Sequence, residues 1–258
     1  RGNEPGRVVS SSASSGVSNT RKLLYASALM AAGTLVSRVF GFLGPMLVAF
    51  ILGNGTRQAD ILSLASTISN GMHILFVGGA GNTGLGPQIV RAIRHDEDGG
   101  EAFTNRIMTA FMLAISVVTV VLTLLAPLIT FLYSSDAYRT PDLESQYASM
   151  VALTYCPLPQ IFFYGAYTML GQILNARDQF GPMMWAPIAN NVIPILVLVF
   201  YLMIWGAGGA HSGAFTTEQI LLLGIGSTQG IAAQALGLIP FVKKDGLRFR
   251  QRFDLRAS

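Results

Sequence analysis

Six long windows of the sequence contain no Asp, Glu or Lys and, apart from Arg38, no Arg. About 20 consecutive apolar residues cross a hydrocarbon core of about 30 Å, so each window is long enough to span a membrane. Alternation with a period of two residues is absent, which argues against the strands of a membrane barrel. The windows are 23–56, 61–90, 107–135, 145–176, 183–217 and 219–242.

Composition supports the same interpretation. Half of the 258 residues are hydrophobic (51%) and 12% are charged, against about 25% charged in an average soluble domain. The single cysteine, Cys156, excludes a disulfide framework and a CxxC metal site. The sequence therefore predicts an all-α membrane protein with six transmembrane helices.

The polar connectors between the windows predict the orientation. Lys and Arg residues in alternate connectors and tails sum to fourteen on one side and two on the other. By the positive-inside rule both termini face the cytoplasm, and the excess charge indicates a membrane surface rather than nucleic acid. We expect a disordered cytoplasmic tail at 1–21, a six-helix lobe at 22–242 and a basic cytoplasmic segment at 243–258.

Arg38 is the only charge inside a window, in the segment TLVSRVFGFLGP. An arginine near the centre of a membrane helix costs about 3 kcal/mol on insertion scales, so a compensating interaction is expected. One interpretation is a water-filled cavity in which the guanidinium binds phosphate oxygens. The other is pairing with backbone carbonyls, or extension of the side chain to the cytoplasmic surface. Gly41, Gly44 and Pro45 follow and predict a bend.

Glycines at 79, 81 and 84 match the spacing of the dinucleotide-binding fingerprint, GxGxxG. That motif needs a preceding strand and a βαβ unit, and this uncharged window offers neither. Glycine and proline inside a membrane segment indicate close packing or a discontinuous helix beside a cavity instead.

Other polar residues of the windows allow more than one role. His73 is interpreted as a neutral imidazole bonded to a neighbouring helix, Asp60 as a helix cap or a gating residue, and Asn190 and Asn191 as amides that join helices or line a groove. Catalytic constellations, paired carboxylates and metal-ligand spacings are missing from the windows. The pattern is typical of a transporter without a cofactor rather than of an enzyme.

Four segments resemble a known family: GTLVSRVFGF, GPQIVRAI, the block from LPQIFFYGAYTMLGQILNARDQFG to WAPIANNV, and RFRQRFDLR. They are similar to the MurJ/MviN lipid II flippases of the MOP exporter superfamily, particularly the actinobacterial type, over roughly residues 22–256. The resemblance implies one six-helix lobe of an alternating-access transporter with two lobes and an extra helix pair. Its implied substrate is lipid II, the undecaprenyl-pyrophosphoryl disaccharide-pentapeptide used in peptidoglycan synthesis.

The resemblance also implies site residues. Arg38 matches a family arginine proposed to hold pyrophosphate, while Asp60, Pro87 and Asn191 match family positions. Departures occur at Gly44 and Pro45, where relatives carry a second arginine and often an aspartate, and at 70–73 and 80–82. The residues expected to bind substrate are Arg38, His73, Asn82 and Asn191, and those expected to gate or shape the path are Asp60, Gly41, Gly79, Gly81 and Pro87.

Three functions follow from this comparison. The leading hypothesis is the N-terminal lobe of a lipid II flippase in the cell membrane, truncated or split, and inactive without a second lobe. A non-transporting scaffold for cell-wall synthesis proteins is the first alternative, which the missing arginines favour. A polysaccharide or multidrug exporter of the same superfamily is the other. Expected partners are lipid II, membrane lipids, a separate C-terminal lobe and cell-wall synthesis proteins.

Overall fold

The computed structural model of the chain describes residues 9–75, 79, 84–96, 98–207, 213–244 and 246, with side chains from residue 19 onward except at 69, 72 and 73. Ten α-helices lie in these ranges. They are α1 (Val9–Leu52), α2 (Arg57–His73), α3 (Gly86–His95), α4 (Glu101–Leu124), α5 (Ala126–Tyr133), α6 (Glu144–Tyr155), α7 (Gln160–Ala176), α8 (Gly181–Trp205), α9 (Thr217–Leu236) and α10 (Ile239–Lys244).

The first helix begins earlier than the expected boundary of a disordered tail at residue 21. Its backbone is helical from Val9, so part of the Ser-rich stretch continues the first membrane helix. Adding a residue to an existing helix gains a hydrogen bond without a new nucleus, which lets poor helix formers extend a stable one. The part of the tail at 1–8 lies outside the described residues.

Proline positions account for the breaks within the windows. Pro127 stands in the first turn of α5, directly after α4 ends. Pro157 and Pro159 separate α6 from α7, where three hydrogen bonds of the tighter i→i+3 type replace the α-helical pattern. Pro45 and Pro194 lie inside α1 and α8, which continue past them. Proline removes one helical hydrogen bond, so each of these sites interrupts the ladder.

The described residues form a helical membrane protein, as the sequence predicts, and contain no strand. Four helical stretches are long and apolar enough to cross a membrane: Asn19–Leu52, Glu101–Leu124, Gly181–Trp205 and Thr217–Lys244. The other two windows hold the shorter pairs α2 with α3 and α6 with α7. Large apolar side chains cover the exterior, including Val117 and Leu124 on α4 and Phe200 and Met203 on α8. Such a surface is compatible with lipid rather than water.

Helix α8 occupies a central place, with α1 packed on one side and α9 on the other. Helix α9 also contacts α7, which in turn packs against α3 and α4, while α2 lies against α6. One buried apolar cluster joins the ends of α1 and α8 to the starts of α2 and α9, and includes Ile51, Ile61, Tyr201 and Phe215. We call it the distal cluster, because it lies at the end of the bundle away from the described terminal residues.

Polar contacts reinforce the distal cluster. The Gln58 side-chain amide donates to the Ala214 carbonyl at 3.2 Å. The Ser149 hydroxyl donates to the Phe215 carbonyl at 3.3 Å and accepts from the Phe215 N–H at 3.1 Å. These bonds attach the segment 213–216 to α2 and α6. The packed side chains of the distal cluster therefore close this end of the bundle.

Candidate functional site

A cavity of about 350 Å³ lies between α1, α2, α7, α8, α9 and the junction of α6 with α7. Its lining shares Ala65, Leu153, Leu198 and Leu223 with the distal cluster, so the cavity ends against that packed core. The volume falls within the range of about 300–1,000 Å³ found for small-molecule sites. The cavity is therefore the candidate site of this bundle.

Polar side chains of the lining come from four different helices. They are Ser66, Asn70, Gln160, Tyr164, Asn190, Asn191 and Ser227. No described residue of the lining carries a charge. The site is thus polar but electrically neutral among the residues that the structure describes.

Most of these groups are held by neighbouring helices. The Gln160 amide nitrogen donates to the hydroxyl oxygens of Ser227 at 2.9 Å and Thr228 at 3.2 Å, which joins α7 to α9. The Tyr164 hydroxyl is hydrogen-bonded to the Asn190 side chain, which joins α7 to α8. Polar groups buried in a membrane bundle need such partners, and these bonds fix the side-chain positions.

Asn191 joins α8 to α1. Its amide nitrogen donates to the Ser37 carbonyl at 2.8 Å and to the Ser37 hydroxyl oxygen at 3.0 Å. The same side chain lines the cavity. The two roles left open for the asparagine pair, joining helices and lining a groove, are therefore both present.

Three helix-breaking prolines meet at the cavity. The cavity is lined by Pro45, Pro157 and Pro194. It is also lined by the residue four positions before each proline, namely Gly41, Leu153 and Asn190 respectively. A proline has no N–H to donate to the carbonyl four residues earlier. The backbone around the cavity is therefore deprived of three helical hydrogen bonds, on three different segments.

Arg38 is exposed on α1 and is not among the residues that line the cavity. Seven residues separate it from Pro45, which is two turns of helix or about 10 Å along the axis on a similar face. The described part of the chain holds one ion pair, between Arg139 and Asp136, and it does not involve Arg38. The arginine thus lies on α1 three residues before Gly41 and outside the described lining.

Asp60 neither caps α2 nor lines the cavity. The cap of α2 is Thr56, whose hydroxyl oxygen accepts from the Ala59 N–H at 3.2 Å, so the cap expected of Asp60 is wrong. The Tyr138 hydroxyl donates to the Asp60 carboxylate at 3.5 Å. Burial, followed by the negative charge of Asp60, raises the pKa of Tyr138 above its ordinary value. Asp60 thereby links the start of α2 to the connector before α6.

The glycines and the proline that were expected to shape the path lie in different parts of the structure. Gly41 lines the cavity, where an added Cβ would lie 3.7 Å from the Asn191 amide. Pro87 stands in the first turn of α3, and Gly79 is exposed with open space around it. Residues 74–75 and 84–85, which flank the fingerprint segment, are π-helical. Gly81, Asn82 and the His73 side chain lie outside the described residues.

Sequence reasoning missed Gln160, Tyr164 and Ser227 as lining residues. Gln160 follows directly after the Pro-x-Pro break, and a polar side chain beside a proline break in an apolar window was the available signal. Tyr164 stands one turn further along α7 and also lines the cavity. Its position could not be deduced because the direction of α7 changes at the preceding break.

Together, apolar outer faces, helices broken by proline and a polar internal cavity define a multi-pass helical membrane protein. The family model described as Lipid II flippase MurJ matches residues 48–258. The chain belongs to this lipid II flippase family, as the resemblance predicted.

Curated relatives agree with the family assignment. The chain is 26% identical over 193 residues to a probable lipid II flippase MurJ of Rhizobium tropici, covering 74% of the chain and 36% of the relative. It is 24% identical over 231 residues to the protein of that name in Haemophilus influenzae, covering 86% and 42%. With the Vibrio cholerae protein, identity is 24% over 245 residues, covering 92% and 44%. The chain thus spans less than half the length of these relatives.

Proposed function

We propose that the chain forms one lobe of a lipid II flippase that acts in peptidoglycan synthesis at the cell membrane. The family match carries the proposal, and the neutral cavity among broken helices supports it. Discontinuous helices around a midplane cavity are the usual construction of alternating-access transporters. The proposed work is transport without covalent chemistry.

Arg38 is the proposed anchor for the pyrophosphate. Its fixed fork of donors matches phosphate oxygens, and it is exposed on α1 three residues before the lining residue Gly41. Since a guanidinium exposed to hydrocarbon is costly, this exposure is best explained by a water-filled space between two lobes. His73, Asn82 and Asn191 remain proposed contacts to the same substrate.

The proposed orientation places both termini in the cytoplasm. Arg91, Arg94, Lys243 and Lys244 then lie at the cytoplasmic end, and Arg57 and Arg139 at the external end. In this orientation the distal cluster closes the external end of the cavity. Asp60, joined to Tyr138 at that end, is the proposed gating contact.

Alternating access requires a second lobe, so we expect the 258-residue chain alone not to rescue a strain depleted of its flippase. We expect rescue when the chain is joined to the remaining part of a relative. In that fusion, Arg38→Ala should abolish growth and lipid II binding, whereas Arg38→Lys should retain part of both because the charge remains.

Arg57→Ala serves as the matched control, because it removes an arginine at the start of α2, at the distal end of the bundle. Rescue by the Arg38→Ala fusion with unchanged lipid II binding would contradict the anchor. The scaffold alternative is favoured by Gly44 and Pro45, which stand where the resemblance implies a second arginine and an aspartate. It predicts that Arg38→Ala leaves lipid II binding intact while capture of cell-wall synthesis proteins is lost.

A further inference from the structure

The neutrality of the cavity restricts what can occupy it. A pyrophosphate group inside it would meet no opposite charge from the described lining residues. Burying an unpaired ion costs far more than burying a hydrogen-bonded neutral group. The cavity is therefore suited to an uncharged part of a ligand, whereas the charged part belongs outside it.

Its hydrogen-bonding groups favour a ligand that donates. Gln160 and Asn191 use their amide nitrogens to bond Ser227, Thr228 and Ser37, and their amide oxygens are left to accept. Prolines 45, 157 and 194 remove the helical donors of three further carbonyls that belong to lining residues. Hydroxyl groups both donate and accept, so they match a lining built from amide and hydroxyl side chains.

The rest of the lining is apolar and includes Phe40 and Val197, with the ring of Tyr164 between the apolar and polar parts. Carbohydrate rings combine C–H faces with hydroxyl edges, which suits a wall of this mixed kind. There is also room beside α1, because a Cβ built on Gly44 would meet nothing within 4 Å.

We propose that this cavity is a carbohydrate site that takes an uncharged, hydroxyl-rich group. Resting on the proposed function, it receives the disaccharide of the lipid-linked precursor, since the peptide and pyrophosphate parts carry charge. The cavity thereby recognises the sugar, while an anion-binding group outside it holds the pyrophosphate.

The test measures binding of two lipids to the chain reconstituted in nanodiscs. The first is lipid II without its pentapeptide, and the second is undecaprenyl pyrophosphate, so the two differ by the disaccharide alone. We expect the peptide-free lipid II to bind about tenfold more tightly, the equivalent of one to two net hydrogen bonds. Gly44→Leu fills the cavity and should remove this difference without changing the binding of undecaprenyl pyrophosphate.

Gly71→Leu is the matched control, because Gly71 also has open space but does not line the cavity. It should keep the preference for the peptide-free lipid II. Equal binding of the two lipids by the unaltered chain would overturn the carbohydrate site and leave the proposed flippase lobe standing. A Gly44→Leu variant that folds and keeps the preference would also overturn it. Failure of both lipids to bind would contradict the proposed function and the site with it.

Discussion

Gly44 on α1 and Gly226 on α9 have opposite surroundings in this bundle. Gly44 borders open space, and a Cβ built there meets nothing within 4 Å. Gly226 packs against its neighbour, since a Cβ there would overlap a Val197 methyl carbon. The first glycine leaves room for a cavity, and the second lets two helices approach closely.

The difference has an energetic basis. Lipid is as apolar as the helices it surrounds, so association in a membrane depends on close packing and interhelical hydrogen bonds. The contact between α8 and α9 is built in this way, with Gly230 against Pro194 and Asn190. On the α1 side, part of the contact is replaced by space and by the bonds from Asn191 to Ser37. Substitutions of Gly44 and Gly226 should therefore have different effects.

The largest effect is expected from Gly226→Val. Val197 is β-branched and cannot turn away easily, so the added side chain overpacks the contact between α8 and α9. The cost should reach the upper part of the about 1–3 kcal/mol typical of overpacking, measured as the free energy of unfolding in detergent. Gly44→Val is the matched control and should change stability by less than about 1 kcal/mol. Equal losses would contradict the contrast between the two sites.

A second test concerns Gly224, where an added Cβ would overlap the Cys156 sulfur. Gly224→Ala should destabilise the chain by about 1–2 kcal/mol because the sulfur has to move. In a Cys156→Gly background the same substitution should cost much less, giving a coupling within the about 0.5–3 kcal/mol seen for contacting residues. Additive effects in the double-mutant cycle would show that the clash is relieved elsewhere.

The helices, their order and the breaks near prolines could be predicted because apolar length and proline chemistry are local properties of the sequence. The cavity lining could be predicted only in part. Asn191 and Gly41 were expected, whereas Gln160 and Ser227 meet through a contact between α7 and α9 that no local pattern reveals. Gly44 and Gly226 show the limit most clearly, since nothing in their neighbouring residues distinguishes open space from close contact.

Asn191→Leu tests the hydrogen bonds that join α8 to α1. It removes both bonds to Ser37, and membrane hydrogen bonds average about 0.6 kcal/mol, so a loss of about 1 kcal/mol is expected. Ser37→Ala removes only the hydroxyl acceptor and should cost about half as much. Thermal unfolding of the two variants measures the ratio, and a larger loss in Ser37→Ala would contradict this assignment.

The smallest effect is expected at the distal end. Because the pKa of Tyr138 is raised in the folded chain, the unfolded chain loses this proton first as the pH increases. The contribution of Tyr138 to stability is complete below its ordinary pKa of about 10 and declines above it. Tyr138→Phe should therefore weaken the fall in unfolding midpoint above about pH 10, and an unchanged pH profile would contradict the raised pKa of Tyr138.

The central claim is that α1 borders a water-filled polar cavity inside an otherwise lipid-covered bundle. In a Cys156→Ala background, Gly44→Cys should react with a water-soluble maleimide in native membranes. Val117→Cys, which is exposed on the apolar face of α4, should not react. Rapid labelling at 44 with protection at 117 is the predicted result. Protection at 44, or equal labelling at both positions, would contradict the cavity and the account built on it.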